Sequence, residues 1–539
     1  MKKLLTIVLC AVLVLGLAAP AAAASGTVTY AGVTIEVDGV VICPMDANGD
    51  PVEPFIYNGS TYLPVRSVAN ALGLNVNWNN GVVELTSGGS GVVPGAPIMS
   101  WRDREIEMGG ADVKVTLNGT ELDLKDAAGR TVTPIVSNGV TYLPVRAIAD
   151  ALNVPVEWDG ENTTVYLGQR VEWLETKAVW DTGDGKPYTW TYRYDSKGNV
   201  LESTSDYGDG YVRKTTYSYD AAGNLTREHY ENTDPEYPRS YTNTYVYDAK
   251  GNLVKETNEE KSPKYQESYT TTYTYDAAGN VLSEETVDNL LPKSAPEKTV
   301  YTYDAQGRLI SEKEIGSYGS EYETLYEYDA AGNLVKETEK SWYSDTVTTY
   351  TYDAAGNLLS SYEDDGDGSY DKYEYTYDAA GRVLTEYNEY SFYDGDVNID
   401  KCTYTYDRDG NILSEIDEWT DEAGTTRYEE YYTYDDRGNV TSSRVVDDGA
   451  ETRRTTEYDK FDNVVRSTYY FDGMEGERTT KYTYDEGGKI LREVTTWENG
   501  SKDMTTYEYD KAGNLVKMVM VGKDLHSSSQ TYEYISVKK

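Results

Sequence analysis

The stretch Tyr273-Thr274-Tyr275-Asp276-Ala277-Ala278-Gly279-Asn280-Val281-Leu282-Ser283-Glu284 spells out one β-hairpin. Two tyrosines at i and i+2 share one face of a strand, and tyrosine favours strands. Asp276 opens a turn, because its carboxylate can accept hydrogen bonds from the backbone N–H groups ahead of it. Ala277 and Ala278 suit right-handed positions. Gly279 suits the left-handed position that a bulged hairpin requires, and Asn280 closes the turn. Val281 to Glu284 begins the returning strand.

Working outward, the pattern recurs along most of the chain. Its aspartates are Asp195, Asp220, Asp248, Asp276, Asp304, Asp329, Asp353, Asp378, Asp407, Asp435, Asp459, Asp485 and Asp510, spaced 24 to 29 residues apart. The turn at Asp353, Gly356 and Asn357 repeats that at Asp276, Gly279 and Asn280. Some copies are degenerate: Thr456 replaces the first tyrosine, and Asp462 stands where glycine precedes Asn463. A last half-copy, Tyr532-Glu533-Tyr534-Ile535, lacks the aspartate and reads as a cap. One hairpin cannot bury its apolar face alone, but hairpins stacked side by side can. The expected fold is therefore mainly β: an open, coiled antiparallel sheet of stacked hairpins, with length variation confined to the second turn of each repeat. The pairs Tyr273/Tyr275, Tyr350/Tyr352 and Tyr375/Tyr377 should line up across neighbouring hairpins into ladders. Such a ladder is either the core of the coiled sheet or an exposed platform that stacks on sugars or partner proteins.

This array, placed at residues 171–539, resembles the YD repeat of the Rhs family, found in Rhs proteins, insecticidal toxin complexes and teneurins. The resemblance implies a spiralling sheet that closes into a hollow shell when long enough. Thirteen repeats look short for a closed cage. No D-P-x-G core stretch is present and no distinct toxin domain follows the array.

Nearer the N-terminus a different unit is duplicated at an offset of 80 residues. Asn58-Gly59, Thr61-Tyr62-Leu63-Pro64-Val65-Arg66, Ala71-Leu72 and Trp78 reappear as Asn138-Gly139, Thr141-Tyr142-Leu143-Pro144-Val145-Arg146, Ala151-Leu152 and Trp158. The Asn-Gly pairs are tight-turn dipeptides. Val65, Val68, Ala69 and Leu72 fall at helical spacing after Pro64. Gly73 and Asn153 fit the left-handed position that ends a helix. Each copy is thus a small α+β domain, at 30–88 and 105–168, with 89–104 as linker. The run resembles the copper amine oxidase-like N-terminal domain. That resemblance implies a copper-free stalk or accessory module of secreted proteins from Gram-positive bacteria. Arg66 and Arg146 read as cations that tie the helix to a carboxylate or backbone carbonyl.

The chain opens with Lys2 and Lys3, an apolar run from Leu4 to Ala19 and an A-x-A pattern at Ala22 and Ala24. That is a secretory signal peptide over 1–24, followed by an extracellular or envelope-associated chain. The net charge of −43 repels nucleic acid and anionic lipid, so neither is an expected partner, and no membrane insertion is expected after signal cleavage. Cys43 and Cys402 fall in different regions, which argues against a stabilising disulfide. The chain has two histidines, His229 and His526, too few for a copper site or a Ser-His-Asp arrangement. No catalytic residue and no cofactor is expected. Calcium is the one candidate ion, at Asp365, Asp367 and Asp371 within an acid-rich loop. The function that fits best is a non-catalytic interaction scaffold binding a cell-wall or host glycan, or a surface protein. A component or remnant of an Rhs-like toxin or shell system is the alternative.

Overall fold

The computed structural model describes residues 24–89, 91, 95, 101–109, 112–126, 129–341, 344–392, 395–447, 449–471, 477–522 and 527–538. The signal peptide read over 1–24 lies outside them except for Ala24, as does His526. The chain divides into two compact units. One is built on the duplicated segment up to Leu167; the other runs from Gly168 onward and takes in Glu36–Cys43.

In the first unit the two copies interlace. The strand Ser60–Pro64 of copy one pairs with Val140–Pro144 of copy two about a pseudo-twofold, with Leu63 facing Leu143 and each proline facing the other copy's tyrosine. Lys114–Leu117 of copy two runs parallel to Val82–Ser87 of copy one. Thr34 of copy one donates its N–H to the Thr163 carbonyl at 3.1 Å. Ala24–Ala31 pairs along its length with Trp101–Met108, whose first residues fall in the stretch read as a linker. The shared core is aromatic. Phe55 lies 5.6 Å from Tyr62 and 4.7 Å from Tyr142, centroid to centroid, so both copies of the Thr-Tyr-Leu-Pro run feed one interior. The helices Val65–Ala71 and Val145–Leu152 start directly after Pro64 and Pro144, which stand as extended caps rather than as first helical residues. Gly73 and Asn153 take left-handed backbone, at φ +76° and +55°. Arg66 donates to the Val76 carbonyl at 3.3 Å, a structural tie from helix to sheet.

The second unit is the repeat array. In the hairpin of Gln266–Tyr275 and Val281–Asp288, Tyr273 faces Glu284, and the register then slips between Thr274 and Tyr275, leaving Leu282 as an extra residue. The same β-bulge recurs at the second tyrosine of every repeat, from Tyr194 to Tyr509. A bulge increases local right-handed twist and bends its strand. Repeated once per hairpin, it curls the sheet continuously.

The outcome corrects the expectation of an open array: all 28 strands form a closed barrel. Thirteen hairpins supply all but two of them. Val171–Asp181 precedes the first hairpin, and Ser528–Lys538 is the half-copy. These two pair with each other from Val171↔Lys538 to Asp181↔Ser529. The half-copy is thus not a cap but the closing strand. An even strand count lets the last strand meet the first antiparallel.

At about 4.8 Å per strand, 28 strands give a circumference on the order of 130 Å. Barrels of about 16 to 18 strands already enclose an aqueous channel. Burial agrees. Among the described residues, the buried apolar side chains lie between Val28 and Leu167 apart from Cys402 and Val537. A collapsed sheet would press its inner faces into a dry core; this one does not, so its interior is hollow.

Candidate functional site

The repeat turn fixes the geometry from which everything else hangs. Asp276 Oδ1 accepts N–H bonds from Ala278, Gly279 and Asn280 at 2.8, 2.8 and 2.9 Å, and Oδ2 accepts from Asn280 Nδ2 at 2.8 Å. Gly279 and Gly356 have φ of +100° and +91°. Asp353 repeats the pattern with Ala355 and Asn357. The asparagine side chain, followed by the backbone N–H groups, holds both carboxyls below their ordinary value. The degenerate turn survives because Asp462 adopts φ +61°, which aspartate tolerates better than most residues. Its carboxylate also accepts from Asn439 Nδ2 and pairs with Arg437, both at 2.7 Å.

The second tyrosine of each motif has a role that the motif alone did not disclose. Tyr275 donates its hydroxyl to the Leu253 carbonyl at 2.6 Å, Tyr352 to Leu334 at 2.9 Å and Tyr377 to Leu358 at 2.7 Å. In each case the acceptor is the first residue of the returning strand in the preceding repeat. The same bond runs from Tyr219 through Tyr484. Each tyrosine therefore staples one hairpin to the last.

In most repeats the first tyrosine faces a carboxylate across the hairpin, whereas Tyr192 and Tyr432 face Ser203 and Ser443. Tyr273 faces Glu284, Tyr301 faces Glu312, Tyr326 faces Glu337, Tyr375 faces Glu386 and Tyr404 faces Glu415. Tyr350, which faces Ser361, reaches Glu337 instead at 3.4 Å. The expected tyrosine ladder is thus an alternating belt of tyrosine and glutamate, because a returning strand separates successive motif strands. Glutamates sit eight residues after eight of the thirteen repeat aspartates, in runs such as Val281-Leu282-Ser283-Glu284 and Leu334-Val335-Lys336-Glu337, so the sequence did carry the signal. The belt face is half-buried, whereas neighbours such as Thr272 and Thr274 on the opposite face are exposed. The concave side of a closed sheet is the side where side chains crowd, which makes the belt the inner face. Burial, with the next carboxylate along, pushes Glu312, Glu337 and Glu415 up from their ordinary values.

The belt is densest at one place. Cys402 Sγ lies 3.9 Å from Glu415 Oε1, and Cys402, Glu415 and Asp417 bring their ligand atoms within 4.8 Å of one another. Burial pushes the Cys402 thiol up to about 12, so it is a protonated, unreactive thiol at neutral pH. The acid-rich loop is arranged differently. Asp365 and Asp367 both accept from Ser369, while Asp371 lies on the inner face opposite Glu363. His229 Nδ1 is held by the Thr242 hydroxyl at 2.8 Å. Among the described residues no helix is long and apolar enough to cross a membrane.

Two family models match the chain. Residues 46–167 match the copper amine oxidase N-terminal domain, and residues 174–394 match the teneurin YD-shell. No curated protein sequence matches. Similar solved structures include the Photorhabdus luminescens Tc holotoxin pore, 13% identical over 96% of this chain and 30% of that one, with a TM-score of 0.29. The TcdB2-TccC3 complex without its hypervariable C-terminal region is 13% identical over 82% of this chain and 27% of that one, with a TM-score of 0.21. A porin-like protein from Bacteroides vulgatus is 14% identical over 51% of this chain and 92% of that one, with a TM-score of 0.12. The chain spans about 30% of the length of the first of these.

Proposed function

We propose that this chain is a non-catalytic shell: an exported, closed YD-type barrel whose hollow interior encloses a guest polypeptide, with the interlaced N-terminal unit as its accessory stalk. The observation that carries the reading is the closure of the array by its first and last strands around an interior without a packed core. The teneurin YD-shell match over 174–394 supports the same reading. The belt tyrosines offer little to an external ligand, since their rings are half-buried and the stapling hydroxyls are already engaged. A lining of glutamates in a strongly acidic chain favours a guest of net positive charge.

The test compares cysteines on the two faces of one hairpin. With Cys43 and Cys402 replaced by serine, Glu284→Cys and Thr274→Cys are treated with a small maleimide and with a maleimide on a long polyethylene glycol. A shell exposes Thr274→Cys to both reagents and Glu284→Cys to the small one alone. Equal reaction of both positions with the large reagent would contradict the reading.

A further inference from the structure

At the seam of the barrel the inner face carries a slot lined by aromatic rings and one carboxylate. Its floor is Ala178, in a position where neighbouring strands present large side chains. Cross-strand pairing puts Trp190 on one side of Ala178 and Tyr532 on the other. Along the strand, Trp180 forms the third wall. The fourth wall is Glu175: the register slips between Glu175 and Lys177, so Glu175, opposite Tyr534, is brought to the same face as Ala178. Tyr192 completes the lining, and the cavity measures about 240 Å³. That is below the roughly 300–1,000 Å³ of drug-sized sites, and suits a single small group.

The electrostatics are lopsided. No cationic side chain lines the slot. Lys177, the nearest along the strand, points to the opposite face, where it pairs with Glu533 at 3.7 Å. Burial pushes the Glu175 carboxyl up, with no favourable partner to offset it. The indole of Trp180, which packs against Tyr188 with ring centroids 5.5 Å apart, has its Nε1 buried without an acceptor. Aromatic faces attract cations, and a carboxylate beside them selects for charge. Gln530 also lines the slot, and its Oε1 accepts from the Tyr532 hydroxyl, which leaves Glu175 as the one charged group of the lining. An anion would meet Glu175 directly.

We propose that the slot bounded by Glu175, Trp180, Trp190 and Tyr532 binds a quaternary or alkylated ammonium group. It rests on the same closure of the array as the shell reading, but the slot is complete in the seam strands and needs no guest. Its position beside the 182–187 turn puts it at the variable-turn end of the barrel, where a headgroup can enter without crossing the interior.

The test is calorimetric titration of the full chain with choline chloride at low ionic strength, beside its uncharged isostere in which carbon replaces the nitrogen. Choline is expected to bind at one site and the isostere not to bind. Glu175→Gln, which preserves shape, should weaken choline at least tenfold. Ala178→Leu, which fills the floor, should abolish binding while circular dichroism stays unchanged. Equal binding of choline and the isostere would overturn the proposal, as would unchanged affinity in Glu175→Gln or no binding of choline to the native chain.

Discussion

Replacing Tyr352 by phenylalanine removes one atom and should measurably loosen the array. Its hydroxyl lies 2.9 Å from the Leu334 carbonyl of the preceding repeat. Loss of such a bond costs about 0.5–1.5 kcal/mol net. The site is only half-buried, so water can replace part of the bond and about 1 kcal/mol is the reasonable figure. The ring stays, so no cavity term is added. Tyr275 and Tyr434 make the same bond to Leu253 and Ile412, each at 2.6 Å, and two complete hairpins separate each from Tyr352. Effects at separated sites add, so the triple phenylalanine variant should lose about 3 kcal/mol. Urea denaturation followed by tyrosine and tryptophan fluorescence reads this as a lower midpoint at unchanged slope. Tyr273→Phe is the control: it loses a hydroxyl from the same face, but one facing Glu284 rather than a neighbouring backbone, and should cost less than about 0.5 kcal/mol. A triple variant whose transition overlays the native one would refute the staple, as would a control that costs as much as Tyr352→Phe.

Three other outcomes follow from the geometry. Gly279→Val should destabilise by roughly 1–2 kcal/mol more than Ala278→Val, because Gly279 sits at φ +100°. Nothing lies within 4 Å of an added Cβ at Gly279, so the cost is backbone strain, and equal melting shifts for the two variants would contradict the turn. Stability should peak in mild acid. The inner-face carboxyls Glu312, Glu337 and Glu415 have raised folded values, so their charged forms oppose folding and their protonation, as pH falls from neutral, adds stability. The turn carboxyls Asp276 and Asp353 have lowered values, so their contribution is full above about pH 4 and disappears below it. A urea midpoint that climbs steadily from pH 5 to pH 8 would contradict this assignment. Excising one complete repeat, from Asp276 through Tyr303, removes two strands and keeps the seam antiparallel, so size-exclusion chromatography should show a folded monomer. Excising a single strand should give aggregate, and equal behaviour of the two deletions would contradict closure.

Much of this architecture was legible in the sequence because each turn is written in full by its own residues. Asp276, Gly279 and Asn280 specify a local hydrogen-bond set that needs nothing from elsewhere in the chain. The left-handed ends at Gly73 and Asn153 and the Asn-Gly turns were legible for the same reason. What escaped depends on residues far apart. Closure is a property of the accumulated bend, contributed by one bulge per repeat, and no single repeat states the sum. The half-copy therefore looked like an end when it is the partner of Val171–Asp181. The interlacing of the duplicated copies was equally hidden, because strands of either copy could satisfy the same pattern. The glutamate belt was visible as a spacing of eight residues from eight of the thirteen repeat aspartates. Reading it required knowing that the intervening strand turns the same face inward, which would also have shown why the tyrosines pair with carboxylates rather than stack on one another.

Closure can be tested directly at the seam. Lys177 and Glu533 are register partners on the outer face, with side chains 3.7 Å apart. Paired residues on adjacent strands have Cα separations near 4.5–5.5 Å, within the range that a disulfide spans. A Lys177→Cys/Glu533→Cys variant, in a background where Cys43 and Cys402 are serine, would be oxidised mildly at low protein concentration. Proteolysis and non-reducing mass spectrometry would then locate the cross-link. Closure predicts a nearly complete intramolecular bond joining the first and last strands of the array, with the protein still monomeric. Free thiols at both positions, or a bond formed only between separate chains, would show that the array is open.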